Sequence, residues 1–260
     1  MSTTDYTEPA VFLSEARMPL LGFGTWQITG STAATAVRTA LQAGYRHLDT
    51  AAVYRNEKQV GAGLAESGVD RGQVFVTTKC PPARTGRELE TLRQSLDALR
   101  TDHVDLWLIH WPGGDGADVE MWQAFMQARD EGLTRAIGVS NYSLDQVDEL
   151  AKETGETPAV NQIEWSPLLF DRTTLEGHRD RGIVLEGYSA LRGGTLDHPV
   201  IRAVAERHGR TTAQVIIRWH LQHDLVVIPK SEKPDRIVAN AQAGDFELSD
   251  EEMAQLDSLG

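Results

Sequence analysis

The chain has 260 residues, 40% of them hydrophobic and 24% charged, with a formal net charge of −13. That length suits one large single-core domain or two small ones, and the composition is that of an ordinary globule. So acidic a chain is ill suited to a polyanion, which excludes nucleic acid as the main partner, and no apolar run approaches the roughly 18 residues of a membrane span. The N-terminal "MSTTDYTEPA" has neither the basic start nor the apolar core of a signal peptide. The single cysteine, Cys80, fits a reducing compartment rather than a disulfide framework. A cytoplasmic protein without membrane association is therefore expected.

Near the N-terminus, "AVFLSEARMPLL" places a polar turn between two apolar pieces and is expected to form a hairpin closing the bottom of the fold. Eight β-branched or apolar runs then read as strands. They are "MPLLGFG" around Leu20, "YRHLD" around His47, "VFVTTK" (74–79), "VDLWLIH" (104–110), "TRAIGVS" (134–140), "AVNQIE" (159–164), "GIVLEGYS" (182–189) and "LVVIPKS" (225–231). Between them lie amphipathic stretches such as "TAATAVRTALQAG", "NEKQVGAGLAESG" and "RELETLRQSLDALR", some closing on glycine (Gly44, Gly68) as helices tend to. Alternation of strand and helix points to parallel βα units, and the near-continuous apolar strands imply cover on both faces. Eight strands in about 250 residues favour a single-domain α/β (β/α)8 TIM barrel over 1–260, with the N-terminal β-hairpin and a C-terminal helix. A doubly wound sheet is the alternative.

Chemistry in such a barrel sits at the C-terminal ends of the strands. The residues there are Asp49, Lys79, His110, Ser140 with Asn141, Gln162, Tyr188 with Ser189, and Lys230 with Ser231. Any one of them reads equally well as a satisfied structural residue; all together exceed what packing explains. A phenol is a poor acid at neutral pH unless a cation stabilises its anion. Lys79 is placed to be that cation for Tyr54, with Asp49 orienting Lys79 and His110 hydrogen-bonding the same substrate oxygen. Such an array suits carbonyl reduction, although a structural ion pair beside an ordinary tyrosine fits the same spacing. Hydride transfer implies a nicotinamide cofactor. "GFGTWQ" and "GAGLAE" lack the third glycine of a Rossmann fingerprint. "IPKSEKPDRIVAN" instead sets Lys230, Ser231 and Arg236 about a helix start at Pro234, an anion site that favours NADPH over NADH.

In order and spacing, "MPLLGFGTW", "GYRHLDTAAVYRNE", "TTK", "LIHWP", "IGVSN", "AVNQIEWSP", "YSALRGG" and "VVIPKSEKPDRIVAN" resemble the aldo-keto reductase family over essentially the whole chain. Within it, the short loops look similar to bacterial 2,5-diketo-D-gluconate reductase-like members. The resemblance implies NADPH-dependent, reversible reduction of small-molecule aldehydes or ketones without metal, NADH serving less well, by a monomer. It implies a catalytic tetrad of Asp49, Tyr54, Lys79 and His110, with Tyr54 as general acid. Ser140, Asn141 and Gln162 would hold the nicotinamide carboxamide and Tyr188 would stack on the ring. Ser189 and Leu191 would hold the pyrophosphate, Lys230, Ser231 and Arg236 the 2′-phosphate, and Asn240 the adenine, with Thr25 also among the cofactor positions. Trp26, Val53 and Trp111 would wall the substrate pocket.

Four departures from the family pattern stand out. Arg55 follows the tyrosine where glycine is common, which puts a positive charge at the pocket mouth unless it points to solvent. Ala190 replaces a proline, Glu232 and Lys233 alter the phosphate loop, and the end at "LDSLG" with the short "WPGGDGADVE" loop predicts an open pocket. Two other readings remain: a cofactor-binding sensor with little turnover, and a sugar-phosphate isomerase, which would leave Tyr54 and Asn141 unexplained.

Overall fold

The computed structural model describes residues 9–13, 16–114 and 116–260. Strands β1 (Ala10–Leu13) and β2 (Ala16–Pro19) pair antiparallel, Ala10 against Pro19 and Leu13 against Ala16. They form the expected hairpin, whose turn residues 14 and 15 lie outside the described residues. Residues 1–8 of the N-terminal stretch, and residue 115 in the loop after His110, lie outside them too.

Eight parallel strands follow: β3 (Phe23–Gly24), β4 (His47–Asp49), β5 (Phe75–Cys80), β6 (Val104–Ile109), β7 (Thr134–Ser140), β8 (Val160–Glu164), β9 (Val184–Tyr188) and β10 (Val226–Val227). They form one sheet in strictly sequential order. The sheet curls until its two edges touch: Leu21 bridges Val227, Gly22 N–H donates to the Val227 carbonyl at 2.9 Å, and Gly24 N–H to the Pro229 carbonyl at 3.1 Å. This is a TIM-barrel-like α/β fold. The two strands at the seam are shorter than their apolar runs predict. Met18 and Pro19 belong to the hairpin, and Pro229, lacking an N–H, can only accept hydrogen bonds where β10 would continue.

Helices α1 (Gly30–Gln42), α2 (Glu57–Glu66), α3 (Glu88–Leu99), α4 (Ala117–Asp130), α5 (Leu144–Thr154), α6 (Arg172–Asp180), α7 (Pro199–His208), α8 (Thr212–Gln222), α9 (Pro234–Ala241) and α10 (Asp250–Asp257) cover the sheet, α10 being the expected C-terminal helix. Sequence chemistry sets their limits. In α1, Ala33, Ala36, Val37, Ala40 and Leu41 recur at helical spacing and are buried as one stripe, and Gly44 at φ 107° turns the chain away. Capping boxes open α5 (Ser143 with Gln146), α8 (Thr211 with Gln214) and α10 (Ser249 with Glu252). Pro234 takes the first position of α9, where its missing N–H has no intrahelical partner to lose.

The apolar core lies mainly between sheet and helices. Trp107 of β6 stacks on Phe125 of α4 with ring centroids 3.6 Å apart, and Trp122 and Trp219 are fully buried. Among the described residues, no helix is long and apolar enough to cross a membrane.

The seam explains one glycine. A Cβ on Gly24 would sit 2.7 Å from the Ile228 carbonyl oxygen, a backbone atom that can yield only if β3 leaves β10. Gly24→Ala is therefore expected to cost about 1–3 kcal/mol, read as a lower thermal midpoint; an unchanged midpoint would mean the seam is looser than described.

Candidate active site

Strand register sets the centre of the site. Asp49 lies opposite Thr77, and Lys79, two residues further along β5, shares the same inward face. Lys79 reaches back so that its Nζ lies 2.7 and 2.6 Å from the two Asp49 oxygens and 2.9 Å from the Thr50 carbonyl. The ammonium is fully buried and all three of its donors are engaged. The Gln162 amide donates to Asp49 Oδ2 at 2.9 Å, from the far side of the sheet on β8.

Tyr54 joins this pair from a one-turn 3-10 helix at Ala52–Tyr54, directly after β4. Its ring centroid lies 5.2 Å from Lys79 Nζ. Asn56 holds the turn in place: its amide donates to the carbonyls of Thr25 and Ile28 at 2.8 and 2.9 Å, and its oxygen accepts from the Thr50 hydroxyl at 3.0 Å. His110, just past β6, faces Tyr54 edge-on with centroids 5.7 Å apart. Asp49, Tyr54, Lys79 and His110 thus come together.

Burial and charge act on this cluster in opposite senses. Burial works against the Lys79 ammonium, but Asp49 foremost, then Tyr54 and Glu186, more than offset it and hold the pKa above the ordinary lysine value. Burial raises the Tyr54 pKa above that of a free phenol, with Asp49 and Glu186 in the same direction and Lys79 opposing. The expectation that Lys79 makes the phenol acidic is thus only partly met: the cation lowers the pKa, and burial outweighs it. His110 is pushed down to about 3, by burial first and Lys79 second, so its imidazole is neutral near pH 7.

A second group of strand ends is wired together beside the first. The Ser140 hydroxyl donates to the Gln162 carbonyl at 2.8 Å. Asn141, in the left-handed region at φ 67°, donates from its amide to the His110 carbonyl and to Ser140 Oγ. The Tyr188 hydroxyl donates to Asn141 Oδ1 at 2.7 Å, which fixes the ring at the end of β9. Further out, Arg236 stands in the first turn of α9, and Ser231 Oγ accepts the Lys233 N–H at 3.1 Å. Lys230 is paired with Glu232 at 2.9 Å, so the acidic departure in this loop occupies one of its two basic side chains.

One cleft of about 1070 Å³ runs past all of these groups. Asp49, Tyr54, His110, Ser140, Asn141, Gln162, Tyr188, Ser189, Leu191, Lys230, Ser231, Arg236 and Asn240 line it, as do Trp26, Val53 and Trp111. Lys79 lies behind Asp49 and Tyr54. Thr25 does not line the cleft either; its N–H and hydroxyl both donate to the Asp49 carbonyl, at 3.0 and 2.9 Å, and brace that strand end. Of the two positions open to it, the mouth of the pocket or solvent, Arg55 takes the second. It is exposed at φ 56°, where glycine is the easier residue, and borders a separate cavity of about 280 Å³ with Glu57 and Arg84, which shares only Val53 with the main cleft.

The volume, the aromatic ring and amides at one end, and the cations at a helix start at the other fit an extended dinucleotide. A model of the Aldo/keto reductase family matches residues 20–260. The chain belongs to the aldo/keto reductase family. It is 45% identical to a morphine 6-dehydrogenase of Pseudomonas putida over 260 residues, covering 94% of this chain and 88% of the relative. It is 43% identical to a glyoxal reductase of Bacillus subtilis (strain 168), covering 93% and 89%. The crystal structure of an aldo/keto reductase from Brucella melitensis superposes with a TM-score of 0.94 at 40% identity, covering 98% of each chain.

This aldo/keto reductase also contains site groups that sequence reasoning missed. Thr211, Thr212 and Ala213 bring the start of α8 to the cleft, and the "TTAQ" capping box signals that helix start in the sequence. Arg192 packs over the Trp26 ring at 5.0 Å, which no local pattern announces. Glu186 is fully buried below Asp49; an acidic residue inside the apolar run "IVLEGYS" was a visible signal.

The neutral His110 has a direct check. Imidazole resonances of His110 are expected to show no protonation above pH 5 in NMR; a titration near the ordinary histidine value would contradict the burial described.

Proposed function

We propose that this protein is an NADPH-dependent carbonyl reductase that reduces small aldehydes and ketones to alcohols reversibly, with Tyr54 as the proton donor. The observation that carries this reading is the Tyr54 ring held 5.2 Å from a buried ammonium, facing a neutral His110 in one cleft. A bound reduced nicotinamide would supply the hydride. The substrate carbonyl oxygen would lie against Tyr54 and His110, and the imidazole would donate a hydrogen bond that polarises it. The Tyr54 hydroxyl would give its proton to the carbonyl oxygen as negative charge develops there, which completes the alcohol. Lys79 stabilises the tyrosinate that remains until solvent returns a proton. The raised Tyr54 pKa favours this direction of use, since the phenol is loaded with its proton at neutral pH.

For the cofactor, the reading gives Ser140, Asn141 and Gln162 the carboxamide and the Tyr188 face the nicotinamide ring. Ser189 and Leu191 take the pyrophosphate, Asn240 the adenine, and Arg236, Ser231 and Lys230 the 2′-phosphate. Lys230 must first give up Glu232, so discrimination against NADH rests mainly on Arg236. Trp26, Val53 and Trp111 are 41%, 48% and 49% exposed, too open for ordinary core packing and suited to the wall of a substrate mouth. One relative is named as a dehydrogenase of morphine and another as a reductase of glyoxal, which supports both reversibility and a broad range of substrate sizes. The same reading takes the chain as a single closed (β/α)8 domain, working as a monomer in the cytoplasm.

Tyr54→Phe is expected to lower turnover of NADPH and an aldehyde by about 10²–10⁴, while NADPH still quenches protein fluorescence at the wild-type concentration. Comparable loss of both would contradict the acid assignment. Arg236→Ala should weaken NADPH far more than NADH, and Glu232→Gln should tighten NADPH modestly by releasing Lys230. Equal effects of either substitution on the two cofactors would count against a 2′-phosphate contact.

A further inference from the structure

A second carboxyl lies beneath the Tyr54–Lys79–Asp49 cluster and has no part in the chemistry above. Glu186 projects from β9 into the barrel, where it is fully buried. Neither of its oxygens accepts a well-formed hydrogen bond. The nearest basic group is His47 Nε2, 3.8 Å from Oε1, and that nitrogen already lies 3.1 Å from the Thr77 hydroxyl. Glu186 stands in register with Gln162 on β8, and the Gln162 amide donates to Asp49 rather than to Glu186 in a good hydrogen bond.

A buried carboxylate without hydrogen bonds is far costlier than the neutral acid. The surroundings reinforce this. From β4 come His47 and the Asp49 carboxylate, from β5 the Lys79 ammonium and the neutral Thr77, from the turn after β4 the Tyr54 phenol, and from β8 the neutral Gln162. On the other flank β10 offers Val226, which carries no charge. His47 gives no compensating cation, because burial pushes it down to about 3. Lys79 is already neutralised by Asp49. Burial first, and Asp49 second, push Glu186 up to about 8, with Gln162 and Lys79 opposing. At neutral pH it is an uncharged acid.

We propose that Glu186 is a positioning residue for the Tyr54 site: a neutral carboxyl beneath Asp49 whose conversion to carboxylate opposes formation of the Tyr54 tyrosinate. The inference rests on the assignment of Tyr54 as the group that exchanges the proton. In the reducing direction Tyr54 starts protonated, and a neutral Glu186 leaves the field of Lys79 available to the tyrosinate formed. In the oxidising direction the tyrosinate must form first, at alkaline pH, where Glu186 ionises and adds a negative charge nearby. The alkaline rise of alcohol oxidation is thereby displaced upward.

Glu186→Gln keeps the shape and cannot ionise. In a pH series of kcat/KM for alcohol oxidation with NADP+, the rising limb of E186Q is expected at lower pH than that of wild type, by about half a pH unit or more. A second reading needs no turnover. The folded-state pKa of Glu186 is raised from 4.5 to about 8, so folding takes up a proton in that window and wild-type stability falls as pH rises through it. E186Q lacks this loss, so its thermal midpoint should gain on wild type from pH 5 to pH 8 and then keep a constant lead. A widening lead with coincident kinetic profiles would overturn the coupling to Tyr54. A lead that does not change with pH would overturn the neutral carboxyl itself. If no alcohol or carbonyl is turned over by any form, the reductase reading fails, and the thermal series still decides the state of Glu186. Should E186Q not accumulate, E186M serves the same readings.

Discussion

The buried ion pair between Lys79 and Asp49 is the constraint on which the site depends. A fully desolvated ammonium is tolerable only with its donors engaged, and removing one partner of such a pair typically costs about 3–5 kcal/mol. Both Asp49 oxygens and the Thr50 carbonyl meet that demand. The pair is weak evidence for stability in itself. In the proposed reaction its use would be electrostatic: a positive charge pinned in a dry place, with no freedom to turn away from the phenol beside it. Asn56, Thr25 and Gln162 then fix the phenol, the strand end and the carboxylate around that charge.

Low dielectric works in two senses here. In the proposed reaction it would strengthen the pull of Lys79 on a nascent tyrosinate, and it raises the cost of any ion, which favours protonated Tyr54 and Glu186 and a neutral His110. The interior below the cleft is therefore polar yet carries little net charge. The far end of the cleft is different: Arg236 and Lys230 are exposed cations on an acidic chain, placed where a helix start already favours anions. Glu232 tempers that end.

Much of this was legible in the sequence because it is local. Runs of β-branched residues, helical spacing and capping residues depend on neighbours a few positions away, and the eight strands and the helix at Pro234 appear where those signals lie. Legibility failed where the decisive partner is distant. The seam strands are shortened by the hairpin and by Pro229, and of the two positions the sequence left open for Arg55, pocket mouth or solvent, the fold takes the exposed one outside the main cleft. Thr25, expected among the cofactor positions, gives both its N–H and its hydroxyl to the Asp49 carbonyl, long-range bonds that no local pattern announces.

The sequence by itself determined the strand–helix alternation, the position of each polar residue at a strand end and the family to which the chain belongs, because those follow from short-range pattern and residue identity. Only the tertiary structure decided that the phenol is held protonated rather than made acidic, that Glu232 occupies Lys230, and that Glu186 lies unpaired below Asp49. Desolvation and through-space charge depend on what the whole fold packs around a group, and no segment of the chain contains that information alone.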